Sequence, residues 1–471
     1  MNRQRITVFN AGETHDSVIK HVGPKNIHLE SADPFLVEVK TTSPHIETPN
    51  LIESIRISYS NSKQLPSNKY PPLFQYFFQN GWSVYFTISS TTTNSGANKE
   101  LFFEQAGQVL KKYFDLPPET SELGIQATSS IYYSFLELGD PKDVLERISG
   151  QKLDTGINAL DIVISSSGNT VLKFVYETNS VEIERSDFVY KEVGLFLLEE
   201  QLTARDDIVL SGIRVVYDPE DQIPPDNDLS SIMFKTLFHV KPRHRLIDTI
   251  NYETSVKPNG LHPILVTNFN HNVSRIYDED IGDCETFYYL NLEKSFFIDK
   301  YQLPDNQVNV LDGVLELELP AYKVKTWGTE VLLQLKDPNF GAIELQLHSR
   351  YQKPKENDPQ TTVSINQPII FQACSIGKVD SNAVGSSPFD NHINKFGGNY
   401  EAFFTPDSVF YHYNGSVEPI SIDIPNGSSD LHSINWKTSI VVLLGLILVL
   451  NKLIKMFIMK YQASHESKKN D

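Results

Sequence analysis

Near the C-terminus, residues Ile440 to Leu450 read IVVLLGLILVL, an unbroken apolar run. Thr438 and Ser439 lead into it, and Leu453, Ile454, Met456, Phe457, Ile458 and Met459 continue it. A helix that crosses a bilayer needs roughly 20 predominantly apolar residues at a rise of about 1.5 Å each. The stretch from Thr438 to Met459 is long enough if Lys452 and Lys455 lay their stems along the lipid and lift their ammonium groups to the headgroups. Trp436 stands where an interfacial aromatic anchor belongs. The competing reading is a buried core helix, which would show a polar face, and no such face is visible between Ile440 and Leu450. The chain therefore divides into a large N-terminal region, one span and a short tail.

Orientation follows from charge. Lys452, Lys455, Lys460, Lys468 and Lys469 come after the apolar run, and only Lys437 closely precedes it. Positive charge marks the cytosolic side, so the tail is expected in the cytosol and the large region in the lumen. Lys468 and Lys469, third and fourth from Asp471, then resemble the dilysine retrieval signal of endoplasmic reticulum membrane proteins; a solvated charged tail is the bland alternative. Glycosylation acceptors of the form N-x-S/T at Asn272, Asn414 and Asn426 all precede the span, which agrees with a lumenal region, although such triplets also arise by chance. The N-terminal stretch MNRQRITVFNAGETHDSVIK has charge but no apolar h-region, so it does not read as a signal peptide. A tail-anchored protein with a cytosolic large region is the rival topology, and it runs against the charge bias.

The large region has room for two domains within a chain of 471 residues. A net charge of −18 disfavours nucleic acid as a partner. Two cysteines, Cys284 and Cys374, are a candidate disulfide in an oxidising lumen, or else two buried thiols. Two cysteines without suitably spaced histidines do not make a four-ligand zinc site, and no metal or cofactor is expected.

The fold class reads as mainly β: antiparallel β-sandwich domains followed by a single C-terminal transmembrane helix. GWSVYFTISS, SSIYYSFLEL, NTVLKFVYE and DIVLSGIRVVYDP carry β-branched and aromatic residues between polar breaks. The stretch NKELFFEQAGQVLKKYFDLPPE is helical in character, with Leu101, Phe102, Ala106, Val109, Leu110 and Phe114 near one face and Pro117-Pro118 ending it. The proline-rich, acidic segment DPEDQIPPDNDLSS marks a boundary near 221–230. Beyond it, VLELEL and IELQLH alternate with the period of strands buried on one face. These signals divide the chain into an N-terminal β-rich domain with one helix (1–230), a β-sandwich (231–376), a loosely packed stem with a strand or two such as SVFYHY (377–435), the span (436–459) and the tail (460–471).

The densest group of chemically capable side chains is FHVKPRHRLID, with His239, Lys241, Arg243, His244, Arg245 and Asp248, to which His262 is near in sequence. It reads as acid–base machinery, as a phosphate patch or, with greater weight, as a solvated basic strand edge. No Gly-rich phosphate loop or serine nucleophile elbow accompanies it. His348, Arg350 and Tyr351 do not form a catalytic trio, because His348 and Arg350 share a strand face and Tyr351 points away. They suit a structural unit in which the arginine bonds a carboxylate or backbone carbonyls, or an exposed interface pair.

A series of elements in the second half resembles the PIG-X/Pbn family: Cys284 leading through CETFYYLNLEKSFFIDKYQL, then His348-Ser349-Arg350-Tyr351-Gln352-Lys353-Pro354, then INQPIIFQAC ending at Cys374. Lys300 departs from the proline of the family's turn. The similarity covers roughly Phe238 to Cys374 plus the anchor, and the long N-terminal region looks like the fungal branch. The resemblance implies a non-catalytic subunit in the endoplasmic reticulum membrane. Its implied partner is the polytopic catalytic subunit of glycosylphosphatidylinositol mannosyltransferase I, which moves the first mannose from dolichol-phosphate-mannose to glucosaminyl-phosphatidylinositol. It implies no cofactor and no small-molecule substrate of the chain's own. A lumenal chaperone or quality-control factor serving many clients is the alternative from another functional class.

Overall fold

In the computed structural model, the described residues are 2–10, 18–44, 46–61, 81–88, 96–117, 125–126, 130–135, 138–166, 168–197, 210–221, 235–240, 243–270, 281–299, 302, 307–313, 319–324, 328–335, 341–355, 358–376, 389, 403–405, 408–416, 418–427 and 429–467. They form two β-sheet modules and a C-terminal helix, so the chain is mainly β, as its alternation predicts.

The first sheet holds β1 (Asn2–Asn10), β2 (Ile19–Val22), β3 (Asn26–Ser43), β4 (Ile52–Ser60), β5 (Gly81–Ile88), β6 (Ile125–Gln126), β7 (Ser130–Phe135), β8 (Ile157–Ser165), β9 (Thr170–Glu184), β10 (Val189–Leu197), β11 (Leu210–Tyr217) and β12 (Lys235–Val240). Their order is β12-β11-β10-β1-β3-β9-β8-β4-β5-β7-β6, with β2 paired beside β3. Neighbours are antiparallel except β1 and β10, which run parallel from Asn2 opposite Val189 to Asn10 opposite Leu197. Period-two burial selects the inner face: Leu160, Ile162 and Ile164 of β8 are buried, with Leu172 and Phe174 of β9 across from them.

Two helices cover that face. α1 (Gly96–Phe114) buries Phe102, Ala106, Val109, Leu110 and Phe114 in the sheet's core, and Phe114 meets the indole of Trp82 edge-on at 5.1 Å. Leu101, counted on the same face from sequence, is exposed. α2 (Pro141–Ser149) is a second helix that the sequence reading missed, although its ends are well signalled. The Asp140 side chain accepts the Lys142 amide at 2.9 Å, Pro141 opens the first turn, and Gly150 closes the helix in the left-handed conformation at φ 72°. On the opposite face, the buried Glu192 carboxylate of β10 accepts from Arg3 and Arg5 of β1, each at 2.9 Å, and from Arg214 of β11 at 2.8 Å. The group thus ties the parallel pair to its antiparallel neighbour.

The second module contains β13 (His244–Lys257), β14 (Ile264–Phe269), β15 (Ile281–Glu293), β16 (Phe296–Phe297), β17 (Gln307–Gly313), β18 (Gly328–Leu335), β19 (Ala342–Gln346), β20 (His348–Ser349), β21 (Gln360–Ile365), β22 (Ile369–Ile376), β23 (Ser408–Gly415) and β24 (Ile420–Pro425). Eight of these make a sheet in the order β17-β18-β15-β22-β23-β13-β14-β19, while β16 pairs with β20 and β21 with β24. On one face, Tyr288, Leu290, Val331, Leu333 and Ile370 share a core with Ile365 of β21 and with Ile420, Ile422 and Ile424 of β24. The other face is aromatic, with Phe287, Tyr289, Phe371 and Phe410 packed together and Phe404 laid over them.

Three expectations change. β12 belongs to the first sheet, so the two sheets meet between Val240 and His244 and not at 221–230. The stretch 377–435 supplies β23, an interior strand that runs parallel to β13, and β24. The strand read at SVFYHY is there, but it is buried on both faces inside the sheet, and the period-two run of β24 follows it. Phe389, from the same stretch, reaches back to the first module and packs against Phe196 at 5.8 Å and Phe238 at 5.3 Å. Beyond β24, α3 (Leu431–Ser467) is one continuous helix; within its segment His432–Met459 an 18-residue stretch has a mean hydropathy of 2.3, and none of that stretch is buried in the protein.

Candidate functional site

The element His348-Ser349-Arg350-Tyr351 is held on both sides by backbone. Phe296 and Phe297 of β16 pair with Ser349 and His348 of β20. The amides of Leu347 and Ser349 donate to the carbonyls of Pro263 and Leu261, both at 2.8 Å. His348 stacks on Phe297 at 5.1 Å, sets Nδ1 at 3.1 Å from Nδ1 of His262, and sets Nε2 at 3.0 Å from Oε1 of Gln302. Partial burial and the neighbouring His262 lower its pKa, while Asp299 opposes them. Arg350 is buried: its amide donates to Ser295 O at 2.7 Å, its guanidinium donates to Leu319 O at 2.9 Å and lies 4.7 Å from the Phe297 ring centre. The arginine bonds a backbone carbonyl, as the structural reading allowed, but it is not half of an exposed pair. Tyr351 faces outward with 68% of its surface exposed, and its carbonyl accepts the Ala321 amide at 3.0 Å.

The basic run before Asp248 is not a solvated strand edge. Arg243, His244 and Arg245 are all buried, and β13 lies between β23 and β14. The Arg243 guanidinium donates to Ser408 O at 3.2 Å. The His244 ring lies on Phe410 at 4.8 Å with Nδ1 at 3.0 Å from Nε2 of His412. Arg245 donates to the Tyr411 hydroxyl. Each partner belongs to β23 and follows by some 165 residues, as the separations of 165, 168 and 166 show. Burial, reinforced by His244, pushes the pKa of His412 well below its ordinary value. His262 stands with His348 and not with this group. The side chains of His239 and Asp248, and Lys241 as a whole, lie outside the described residues.

A family model described as PIG-X / PBN1 matches residues 258–454. Protein PBN1 of Debaryomyces hansenii is 33% identical over 482 aligned residues that take in 100% of both chains. This chain belongs to the PIG-X / PBN1 family. Protein PBN1 of Candida albicans is 31% identical over 476 residues, 95% of this chain and 96% of the relative. That of Gibberella zeae is 28% identical over 327 residues, 64% of this chain and 62% of the relative. The first sheet is therefore part of what is shared with the two yeast relatives.

The 258–454 match contains the histidine pair, Arg350, Tyr351, Pro354 and both cysteines, whereas Arg243, His244 and Arg245 fall before it. Cys284 and Cys374 stand directly opposite in β15 and β22 and are joined as a disulfide with Cα atoms 4.0 Å apart. Of the three acceptor asparagines, Asn272 lies outside the described residues. Asn414 closes β23 and donates its side-chain amide to Oδ1 of Asn251 at 2.8 Å. Asn426 donates to Asp358 O at 3.1 Å and accepts from the Thr361 hydroxyl at 2.8 Å. Neither is in a loose stem. Lys468 and Lys469 lie outside the described residues. Pro354 sits 3.8 Å from the place a Cβ on Gly427 would take, beside the root of α3.

Sequence reasoning missed His412, Tyr411 and the buried Glu330 carboxylate of β18, which accepts from the Tyr289 hydroxyl. The continuous β-branched and aromatic run in SVFYHY was the available signal for the first two. Among the described residues, no group of three or more His, Cys, Asp or Glu is placed to hold a metal.

Proposed function

We propose that the chain is a non-catalytic subunit of the membrane enzyme that adds the first mannose to glucosaminyl-phosphatidylinositol, and that it stabilises the enzyme's polytopic catalytic subunit. Membership of the PIG-X / PBN1 family supports the broader role in glycosylphosphatidylinositol-anchor biosynthesis. In this reading both β modules lie in the lumen of the endoplasmic reticulum, α3 crosses the membrane and the tail is cytosolic. The observation that carries the proposal is the full-length similarity to fungal members of that family. The exposed apolar helix is consistent with it, because a helix left unburied among the described residues is free to pack on those of another protein.

Affinity purification in mild detergent tests the reading. One multispanning mannosyltransferase is expected in near-equal amount, and depletion of the chain is expected to lower that enzyme and to make glucosaminyl-phosphatidylinositol accumulate. Recovery of many unrelated clients at low stoichiometry, with normal first mannosylation after depletion, would favour the chaperone class and reject the proposal.

A further inference from the structure

The ectodomain end of α3 carries a surface that the proposed subunit role leaves unused. Tyr322 is 56% exposed and Tyr351 68%, and the backbone bond from the Ala321 amide to the Tyr351 carbonyl at 3.0 Å holds the two segments side by side. Lys323, Lys353 and Lys355 beside them are exposed. The loop bearing the last two is fixed to the chain entering the anchor. The Asn426 amide donates to Pro359 O at 2.8 Å, the Asn426 side chain donates to Asp358 O at 3.1 Å, and Pro354 lies against Gly427.

Chain length limits how far this surface can stand from the lipid. Four residue steps separate Gly427 from Leu431, at most about 14 Å when fully extended. Five helical steps from Leu431 to Trp436 add about 8 Å. The loop thus lies no more than about 22 Å from the level of the interfacial tryptophan, and the headgroup layer itself takes up roughly 5–8 Å of that. Tyrosine and lysine are side chains that suit this layer, with an apolar body and a polar or cationic tip. Of the described carboxylates nearby, Asp358 makes only a half-exposed pair with Lys355 at 3.6 Å, which leaves the ammonium open to solvent, and Asp430 accepts the Ser433 amide at the start of α3 at 3.1 Å.

We propose that Tyr322, Lys323, Tyr351, Lys353 and Lys355 form a collar that rests on the bilayer around the root of α3 and binds phospholipid phosphates. The collar fixes the tilt of the β modules over the membrane. The inference requires α3 to be a span but does not require any particular enzyme as partner.

The test uses the purified full chain in phosphatidylcholine nanodiscs that contain a phospholipid with a photoreactive headgroup, without any partner protein. Crosslinks mapped by mass spectrometry are expected on the 320–323 and 351–355 segments as well as around Trp436. Changing Lys323, Lys353 and Lys355 together to Glu is expected to cut the collar crosslinks about fivefold and to leave those at Trp436 unchanged. Because all three lysines are exposed, the variant is expected to fold, and retention of the Cys284–Cys374 bridge checks this. Crosslinks confined to α3, or collar crosslinks unchanged in the triple variant, would overturn the proposal. So would protection of these lysines that appears only when a partner enzyme is bound, since that would make the surface a protein interface.

Discussion

Removing the Cys284–Cys374 bridge tests how the second module is held together. The bridge closes a loop of 90 residues between two adjacent strands in the interior of the eight-stranded sheet. In the chain-entropy account, a loop of this length restricts the unfolded chain by about 4.6 kcal/mol at 25 °C. A paired change of both cysteines to Ala removes the bridge without leaving a thiol to mispair. Cys374 is buried and Cys284 only half-buried, so the packing lost with the two sulfurs is small beside the entropy term. With a urea slope of about 2 kcal/mol/M, the midpoint of the second module should fall by roughly 2 M. Pulse proteolysis of the full chain across a urea series, reading peptides from β15 and β22 separately from peptides of β8 and β9, gives each module its own midpoint. The first module serves as internal control and should hold its midpoint. A second-module shift under 0.5 M would refute the entropic reasoning, and equal shifts in both modules would show that the two sheets unfold as one unit.

Two further outcomes follow from the buried charges. Burial alone would raise the Glu192 carboxyl, but the hydrogen bonds from Arg214, Arg5 and Arg3 hold its pKa below the usual value. Its stabilising contribution is therefore present above about pH 4.5 and is lost as pH falls below that. Glu192→Gln should lower first-module stability by about 3 kcal/mol, the low end for a broken buried pair because Arg3 and Arg214 stay partly solvated. A urea midpoint unchanged by this substitution would count against the tie it makes between β1, β10 and β11. His412 acts in the same direction for a different reason: burial disfavours its charged form and depresses its folded pKa, so the unfolded chain takes up the proton first and stability is lost as pH drops below about 6.5. Second-module melting should fall between pH 7.5 and 5.5, and His412→Gln should flatten that dependence; an equally steep profile in the variant would place the titrating group elsewhere.

The apolar C-terminal helix, the β class and α1 were legible because each is written locally, the first as an unbroken apolar run and the others in periodicity. The fate of Arg243, His244 and Arg245 was not, since charge in a strand means an exposed edge unless something distant covers it. Here the cover is β23, more than 160 residues later, whose Tyr411 hydroxyl, His412 ring and Ser408 carbonyl each bond one of the three side chains. The parallel pairing of β1 with β10 is unreadable for the same reason: Arg3 and Arg5 acquire their meaning only when Glu192 arrives between them. The composition of 377–435 promised a stem because loop residues outnumber strand residues there, yet a strand needs only about five or six residues to enter a sheet. The element around His348 was legible as a unit, but which of its side chains face inward was only half readable. Alternation separated Tyr351 from Arg350, and it took the Leu319 carbonyl and the Phe297 ring to bury the arginine.

The histidines bear on how the chain works. A general acid or base needs reach to a reacting atom and a pKa near the working pH. His244 and His412 are each 3% exposed and face one another, and the pKa of His412 is driven far down by burial. His348 is less buried, but one ring nitrogen is set against His262 and the other against Gln302. These groups fix strand β23 to β13 and β20 to the 261–263 segment, so they serve the shape of the module. Near the start of α3, among the described residues, the module turns outward Tyr322, Tyr351 and lysine, side chains with an apolar body and a polar tip that suit a surface contact. If the chain is the proposed subunit, its β modules and α3 offer a multispanning enzyme two separate contacts, one at the helix and one at the modules. Linking the two contacts makes the second intramolecular once the first is made, which strengthens the complex without either surface being large. On that account, α3 alone should associate weakly with the partner, the β modules alone should associate weakly, and the intact chain should hold it through purification.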